Sequence, residues 1–288
     1  MMDEELPRAD EHMSREVFGT LYQLSTNHPW LIRRSNELYD TIQLCDDDDQ
    51  KALVIDLISR FHFRSTANHL EDLRTIADKI ANDWKCEPAS TMLIALDDRG
   101  CADSTAMVVQ QLKGPLAEHG DWTTGNFISS LGEVVRRAKE NSNIVIVDDF
   151  CGSGETISKK VIWLNEKLEE AGKSVKMRVA VGTSMEGSKT VVEPVVDEFY
   201  SVHWINRGIR DYFHGQAQCD AVAHMQAIED KLEAKSKSKK LVDYSFGWRQ
   251  TEALYYLEGS NPPNNNFPIF WWPLLKPDMK RKALLPRV

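Results

Sequence analysis

The stretch Asn143-Ile144-Val145-Ile146-Val147-Asp148-Asp149-Phe150-Cys151-Gly152-Ser153-Gly154-Glu155-Thr156 constrains this chain more than any other. Its consecutive aliphatics, Ile144 to Val147, are expected in a central parallel strand covered on both faces. The adjacent acids that end the run are costly to bury and seldom serve packing. That places them at the carboxyl edge of the sheet, where open α/β sheets bind ligands. Gly152 and Gly154 permit a sharp turn, and a helix begins near Glu155. Such a loop aims successive backbone N–H groups, and the positive end of a helix, at an anion. Paired carboxylates beside that cradle suit a sugar phosphate, the acids taking ribose hydroxyls or a metal and the loop taking the phosphate. Other phosphate motifs fit less well. A dinucleotide fingerprint needs a third glycine where Ile157 stands, and a Walker loop needs Gly-Lys-Ser/Thr where Gly154 is followed by Glu155. A receiver domain has paired acids at a strand end but no use for the glycine loop.

The same residues resemble the phosphoribosyl-diphosphate motif of type I phosphoribosyltransferases. That motif is an aliphatic strand, two acids, three residues, Thr or Ser, Gly, one residue and Thr. Here it reads Asp148, Asp149, Phe150-Cys151-Gly152, Ser153, Gly154, Glu155, Thr156. The resemblance implies an α/β fold, a mainly parallel sheet with helices on both faces, preceded by a helical N-terminal region. It implies that Asp148 and Asp149 bind the ribose hydroxyls, and a metal with them. Residues Cys151, Gly152, Ser153, Gly154, Glu155 and Thr156 would surround the 5′-phosphate. Mg2+ would bridge diphosphate and ribose, and pyrophosphate would be displaced at the anomeric carbon through an oxocarbenium-like state. The loop after the first core strand, Asp98, Arg99 and Gly100, would receive the pyrophosphate, although Asp97 and Asp98 add negative charge there. Non-catalytic relatives, transcription regulators among them, keep the motif, so it speaks for ligand binding more strongly than for catalysis. Members acting on 6-oxopurines carry an acid at the position of Gly152, which disfavours a hypoxanthine–guanine activity. Glu155 places a carboxylate inside the phosphate loop, and Cys151 is expected as a packed thiol with no nucleophilic role.

Taken with the helical front and the tail ending Asn261-Pro262-Pro263-Asn264-Asn265-Asn266-Phe267-Pro268-Ile269-Phe270-Trp271-Trp272, the chain resembles a bacterial phosphoribosyltransferase-like branch of conflict and phage-defence loci, retron-associated effectors included. That resemblance implies a toxin-like or signalling role. It leaves open a protein or nucleoprotein partner of a defence complex, and a homo-oligomer, beside the small-molecule phosphoribosyl ligand. Two functions follow. One is an enzyme using phosphoribosyl diphosphate or a related nucleotide; the other is a non-catalytic module that senses a nucleotide or holds a partner.

Composition narrows the setting. The 288 residues suffice for one elaborated domain or two small ones. A net charge of −9 argues against broad nonspecific nucleic-acid binding. No apolar run approaches a membrane span, so no membrane is expected. The acidic start Met1-Met2-Asp3-Glu4-Glu5 is unlike a secretory signal, and the 5 scattered cysteines suggest reduced thiols in a cytoplasmic protein.

Periodicity divides the chain into a helical N-terminal region (1–88), a phosphoribosyltransferase-like α/β core (89–215), and a charged helix or linker with a C-terminal strand and aromatic Pro/Asn-rich tail (216–288). In the front, Asp46 to Asp49 read as the acidic start of a helix, and a second helix is expected over 65–84. Core strands are expected at 91–96, 144–147, 177–182 and 199–204, with a helix over 156–171 ending at Gly172. Residues 113–126 read as a connector or a lid, and 127–139 as a helix. Residues 228–240 read as a solvated charged helix running into a linker, with a nucleic-acid contact as the sharper alternative. Residues 253–257 read as a strand. The aromatic tail either closes the core or forms a hood over a base or a partner surface, and the basic end (Lys276 to Arg287) is a solvated or docking arm.

Overall fold

A computed structural model describes residues 15–95 and 104–287; Asp98, Arg99 and Gly100, the expected pyrophosphate loop, lie outside them. The front comprises helices α1 (Arg15–Asn27), α2 (Ser35–Ile42) and α3 (Asp48–Ser59). Asp47 caps α3, its side chain accepting the Gln50 N–H at 2.8 Å. The acidic run therefore satisfies a helix start and opposes the helix dipole. A short strand β1 (His62–Arg64) leads into α4 (Thr66–Asp78), which continues as a π-helical turn over Lys79–Asp83.

Strands and helices then alternate: β2 (Thr91–Ala95), α5 (Ser104–Ala117), β3 (Phe127–Ile128), α6 (Leu131–Arg137), β4 (Ser142–Cys151), α7 (Glu155–Glu170), β5 (Val175–Met185), α8 (Lys189–Val192) and β6 (Glu198–Ile205). They form a five-stranded sheet of order β3-β2-β4-β5-β6, parallel throughout. The β4 aliphatics split between its faces as the strand period requires. Ile144 and Ile146 pack with Val161, Leu164 and Leu168 of α7. Val145 and Val147 pack with Leu73 and Ile76 of α4 and with Val108 and Leu112 of α5. Both faces are thus covered, as a parallel sheet needs.

A third core joins the two ends of the chain. It unites Leu31, Val54, Leu57 and Ile58 of the front with Ile209, with Met225 and Ile228 of α9 (Gly215–Glu229), and with Phe267, Phe270 and Trp272. A small hairpin, β7 (Lys235–Ser236) and β8 (Lys239–Lys240), follows α9; β9 (Tyr255–Leu257) then pairs in parallel with β1, His62 opposite Tyr255. The pairing ties front to tail above the carboxyl edge of the main sheet.

Several expectations are revised. Helix α5 runs through Gly114 and Pro115 to Ala117. The remaining connector lies at the amino edge, where Asn126 Nδ2 donates to the carbonyls of Pro88 at 2.6 Å and Thr91 at 3.0 Å. It is a connector, at the edge opposite Asp148. Residues 127–139 are not one helix, because Phe127 and Ile128 pair with Leu93 and Ile94 and Ser130 caps a shorter α6. Residues 228–240 are not a solvated helix: α9 stops at Glu229, and Ile228, Glu229 and Leu232 are buried. Of the two readings of the tail, core packing holds: Phe267, Phe270, Trp271 and Trp272 are core residues. The basic end is held too, Arg281 donating to the Ile269 carbonyl and Arg287 to that of Pro262. Among the described residues no helix is long and apolar enough to cross a membrane.

Glu229 carries a pH signature. Its buried carboxylate accepts Ser245 Oγ–H at 2.6 Å and the Phe246 N–H at 3.0 Å, and burial lifts its pKa from 4.5 to about 7. The folded chain therefore keeps a proton that the unfolded chain releases, so this group's contribution to stability declines as pH rises from 4.5 to about 7. Urea melts across that window should show wild type losing about 3 kcal/mol more than Glu229→Gln, the size of such a shift. Equal slopes in the two proteins would contradict this assignment.

Candidate phosphoribosyl site

Strand β4 delivers Asp148 and Asp149 to the carboxyl edge of the sheet. Asp149 is buried and Asp148 half-buried, and the Asp149 N–H donates to Asp148 Oδ1 at 2.8 Å. Burial first, and then the neighbouring Asp149 carboxyl, raise the Asp148 pKa well above the usual carboxylate range.

The chain next turns through Gly152, Ser153 and Gly154 into α7. Gly154 sits at φ 77 as the N-cap, without a side-chain cap. A Cβ there would approach Val192 Cγ2 to 2.8 Å. The Glu155 N–H donates to Ser153 Oγ at 3.4 Å, and the other N–H groups of the first turn of α7 are of the kind that meet an anion. Cys151 is buried, and burial pushes its thiol up to about 11, which removes it as a nucleophile. Ser153 is half-buried and Thr156 exposed. Glu155, the carboxylate that looked out of place, pairs with Arg249 Nε at 2.7 Å and with Lys159 Nζ at 3.4 Å. Its charge also lies in the first turn of α7, where the helix dipole favours it.

Arg249 comes from a distant turn seated on this loop. Within residues 246–252, Phe246, Gly247, Arg249, Gln250 and Glu252 all have positive φ. Each non-glycine residue held there costs about 1–3 kcal/mol, so the surroundings must impose the shape. Buried Glu252 accepts the N–H groups of Ile209 and Arg210, both at 2.8 Å, and pairs with the Arg210 guanidinium. Asn265 Nδ2 donates to Thr251 Oγ1 at 3.1 Å, and the Trp248 N–H to the Asn264 carbonyl at 2.9 Å. The Asn265 side chain lies directly on Gly152, where a Cβ would come within 2.2 Å of Asn265 Cγ. Glycine at 152 is therefore required by the chain's own tail.

Two cavities flank the loop. One of ≈ 400 Å³ is lined by Asp148, Gly152, Ser153, Thr156, Lys159 and Trp248, among others. The other, ≈ 460 Å³, is lined by Ser153, Glu155, Ser188, Arg207, Asp211 and Arg249, among others. A wider cavity of ≈ 900 Å³ lies at the amino edge, lined by Thr91, Asn126 and Ser142, and the motif takes no part in it.

A polar cluster beside the acids had no sequence signal. Tyr255 of β9 stacks on Phe150 with centroids 4.4 Å apart; burial, and then Asp149 and Asp148, raise its pKa well above the ordinary value. Arg64 grips Asp72 at 2.6 and 2.9 Å, and His203 Nε2 lies 2.8 Å from Asp72 Oδ1. The His62 ring is 4.8 Å from that of His203, and burial, aided by His203, lowers the His62 pKa to about 4. These residues come from β1, α4, β6 and β9, so only the fold assembles them. Asn265 and Arg249 were missed for the same reason; the glycine-containing 246–252 segment and the asparagine run were the available hints of turns.

Among the described residues no three His, Cys, Asp or Glu side chains gather to hold a metal ion. Mg2+ typically takes one or two carboxylates and completes its shell with substrate phosphates and water. The adjacent Asp148 and Asp149 suit such a shared ion.

The profile of the PRTase-CE family matches residues 43–287, and the chain belongs to that family. A comparison with curated proteins finds no match. Among solved structures the chain is similar to HGPRT-ase from Leishmania tarentolae in complex with GMP, at 21% identity over 50% of this chain and 81% of that one, with a TM-score of 0.37. It is also similar to orotate phosphoribosyltransferase from Aeropyrum pernix, at 17% identity over 48% and 69%, with a TM-score of 0.31. A hypothetical protein from Neisseria gonorrhoeae with bound ppGpp is 13% identical over 59% and 97%, with a TM-score of 0.33.

The seating of the tail on the loop is testable by a double-mutant cycle. Gly152→Ala should cost about 1–3 kcal/mol by overpacking. Asn265→Ala removes the atoms it strikes, so the pair should be less destabilised than the sum of the singles by more than ~0.5 kcal/mol. Additive losses in urea unfolding would show that the two residues do not touch.

Proposed function

We propose that the chain binds phosphoribosyl diphosphate, or a related ribosyl phosphate or nucleotide, in the 148–156 loop and transfers or cleaves at the ribose anomeric carbon. The observation that carries this reading is that Asp148, the glycine turn and the first residues of α7, Glu155 and Thr156, line one cavity. A sugar hydroxyl and a phosphate can then be held by adjacent parts of a single loop. Asp148 and Asp149 hold the ribose hydroxyls and a Mg2+ ion. The N–H groups of Gly152 to Thr156, with Ser153 and Thr156 hydroxyls, hold the 5′-phosphate. Magnesium, when bound, neutralises charge on the diphosphate. The pyrophosphate itself falls to the Asp98-Arg99-Gly100 loop. Residues 89–215 carry the ligand, and the two ends of the chain close over it. The resemblance of the helical front and the aromatic tail to a defence-associated branch supports an effector role with a protein or nucleoprotein partner.

A second reading, a non-catalytic nucleotide sensor, is favoured by one feature. The tail already rests on the phosphate loop through Asn265 and Arg249, an arrangement suited to reporting occupancy to the rest of the molecule. Turnover separates the two, because only the enzyme releases pyrophosphate from phosphoribosyl diphosphate or free base from a nucleotide.

Calorimetric titration with phosphoribosyl diphosphate and Mg2+ tests the shared part of both readings. Asp148→Asn/Asp149→Asn should bind at least about tenfold more weakly, a loss of ~1.4 kcal/mol; unchanged affinity would refute the assignment. The raised pKa of Asp148 adds a sign. Its proton must leave before it holds a cation, so affinity for the magnesium complex should increase as pH rises beyond the usual carboxylate range. Asp148→Asn should flatten that dependence, and an identical pH profile in the variant would remove Asp148 from the metal's shell.

A further inference from the structure

Charge is unevenly placed along this chain. Residues 231–243 and 273–287 hold ten Lys and Arg side chains against three acids, in a chain of net charge −9. The fold brings these two segments together. Leu232 bridges Leu275 in an antiparallel pair, the Glu233 N–H donates to the Leu274 carbonyl at 3.1 Å, and the Lys276 N–H donates to that of Lys231 at 2.9 Å. Hairpin β7–β8 thereby lies beside a second hairpin, β10 (Leu274–Leu275) with β11 (Met279–Lys280). Several lysines elsewhere meet an acid one helical turn away, as Lys51 does Asp48, Lys79 Asp83 and Lys167 Glu170. In the two basic segments Lys231 pairs with Asp46. Lys235, Lys237, Lys239, Lys240, Lys276 and Lys280, by contrast, pair with no carboxylate among the described residues. All of these but Lys239 are exposed.

Three of the cations converge. Lys239 Nζ and the Arg287 guanidinium lie 5.6 and 5.4 Å from the Trp271 ring, and with Lys237 and Ser236 they line a recess of ≈ 40 Å³. Burial first, and then Arg287 and Lys237, lower the Lys239 pKa. Like charges held this close repel one another, a cost that an anion in the recess removes. Trp271 in turn meets Tyr244 edge-on at 5.4 Å, and Tyr244 lines the ≈ 400 Å³ cavity of the 148–156 loop, which none of these cations enters. The recess takes a small charged group and has no space for a base. Neither segment contains an aromatic ring to stack on one. Insertion into a bilayer needs a broad apolar face, and the exposed large hydrophobic residues here are Val242 and Met279 alone, among the described residues. We infer that the two hairpins form a nucleic-acid surface, separate from the 148–156 site, that holds backbone phosphates through lysines without reading bases. Lysine suits that task, being a mobile point charge that phosphate attracts whatever the sequence.

The probe is a labelled mixed-sequence strand of about 20 nucleotides, as RNA and as DNA, titrated with the full chain and followed by fluorescence anisotropy. The expected result is binding of at least one strand, weakened ~tenfold or more between about 50 and 200 mM salt, as counterion release requires. Lys235→Gln/Lys237→Gln/Lys240→Gln should lower affinity at least about tenfold and make the log–log salt slope shallower by about 2. Thermal melts confirm that this variant is folded, and its titration with phosphoribosyl diphosphate and Mg2+ should match wild type. The control, Lys51→Gln/Lys79→Gln/Lys167→Gln, removes the same charge from paired positions and should bind the strand nearly as wild type does. Failure of both strands to bind at about 50 mM salt, or equal losses in the two triple variants, would overturn the surface. Phosphatidylserine vesicles binding as tightly as the strands would make it a membrane contact instead, and polyglutamate doing so would make it a site for an acidic protein. Loss of phosphoribosyl diphosphate binding in the first triple variant would show that the two sites are not separate.

Discussion

Two carboxylates side by side at the end of a strand buried on both faces set the terms for the rest of this molecule. Each ionised acid needs water, a cation or donors, and β4 gives Asp149 little access to water. The fold answers in three ways. Asp148 has its proton favoured by burial and by its neighbour. Tyr255 is laid on Phe150 close to both acids. The chain then turns into the positive end of α7, whose first residues, Glu155 and Thr156, line the same cavity as Asp148. A strand ending in apolar residues would need none of this, which is why these residues make a candidate site.

The second constraint is the closure of the site by the ends of the chain. Parallel pairing of β1 with β9 brings front and tail together, and their shared core supplies the apolar burial that offsets the left-handed residues of 246–252. Buried Glu252 and Glu229 anchor that turn at either end, Glu252 accepting the Ile209 and Arg210 N–H groups and Glu229 that of Phe246. The result is placement of Trp248, Arg249 and Asn265 on the 152–156 loop. Glu155, which by itself would repel a phosphate, becomes the point where Arg249 is fastened.

What was legible in the sequence was local. The β4–loop–α7 unit, β5, β6 and the capped α3 announce themselves through apolar periodicity, glycine positions and acids at a helix start, all within one element. The rest depended on contacts between remote segments. Asn265 lies over a hundred residues from Gly152, and nothing near either one signals the other. An aromatic run reads alike whether it fills a core or covers a ligand, so Phe267 to Trp272 gave no choice between them, while the pair that does line the cavity, Tyr244 and Trp248, sits in an unremarkable polar stretch. Charge density over 228–240 concealed Ile228 and Leu232, whose burial is imposed by the front helices. Phe127 and Ile128 took the strand state because β2 offered a partner, a tertiary choice that helix-like spacing cannot reveal.

The claim on which these points converge is that the loop and the C-terminal turn form one ligand site. Amide hydrogen exchange with and without phosphoribosyl diphosphate and Mg2+ tests it most directly, read over peptides covering 148–157 and 244–266. Slowed exchange in both segments, at the same ligand concentration, is the expected result. Protection of the loop with the C-terminal segment unchanged would contradict a shared site and reduce the tail to a structural cover.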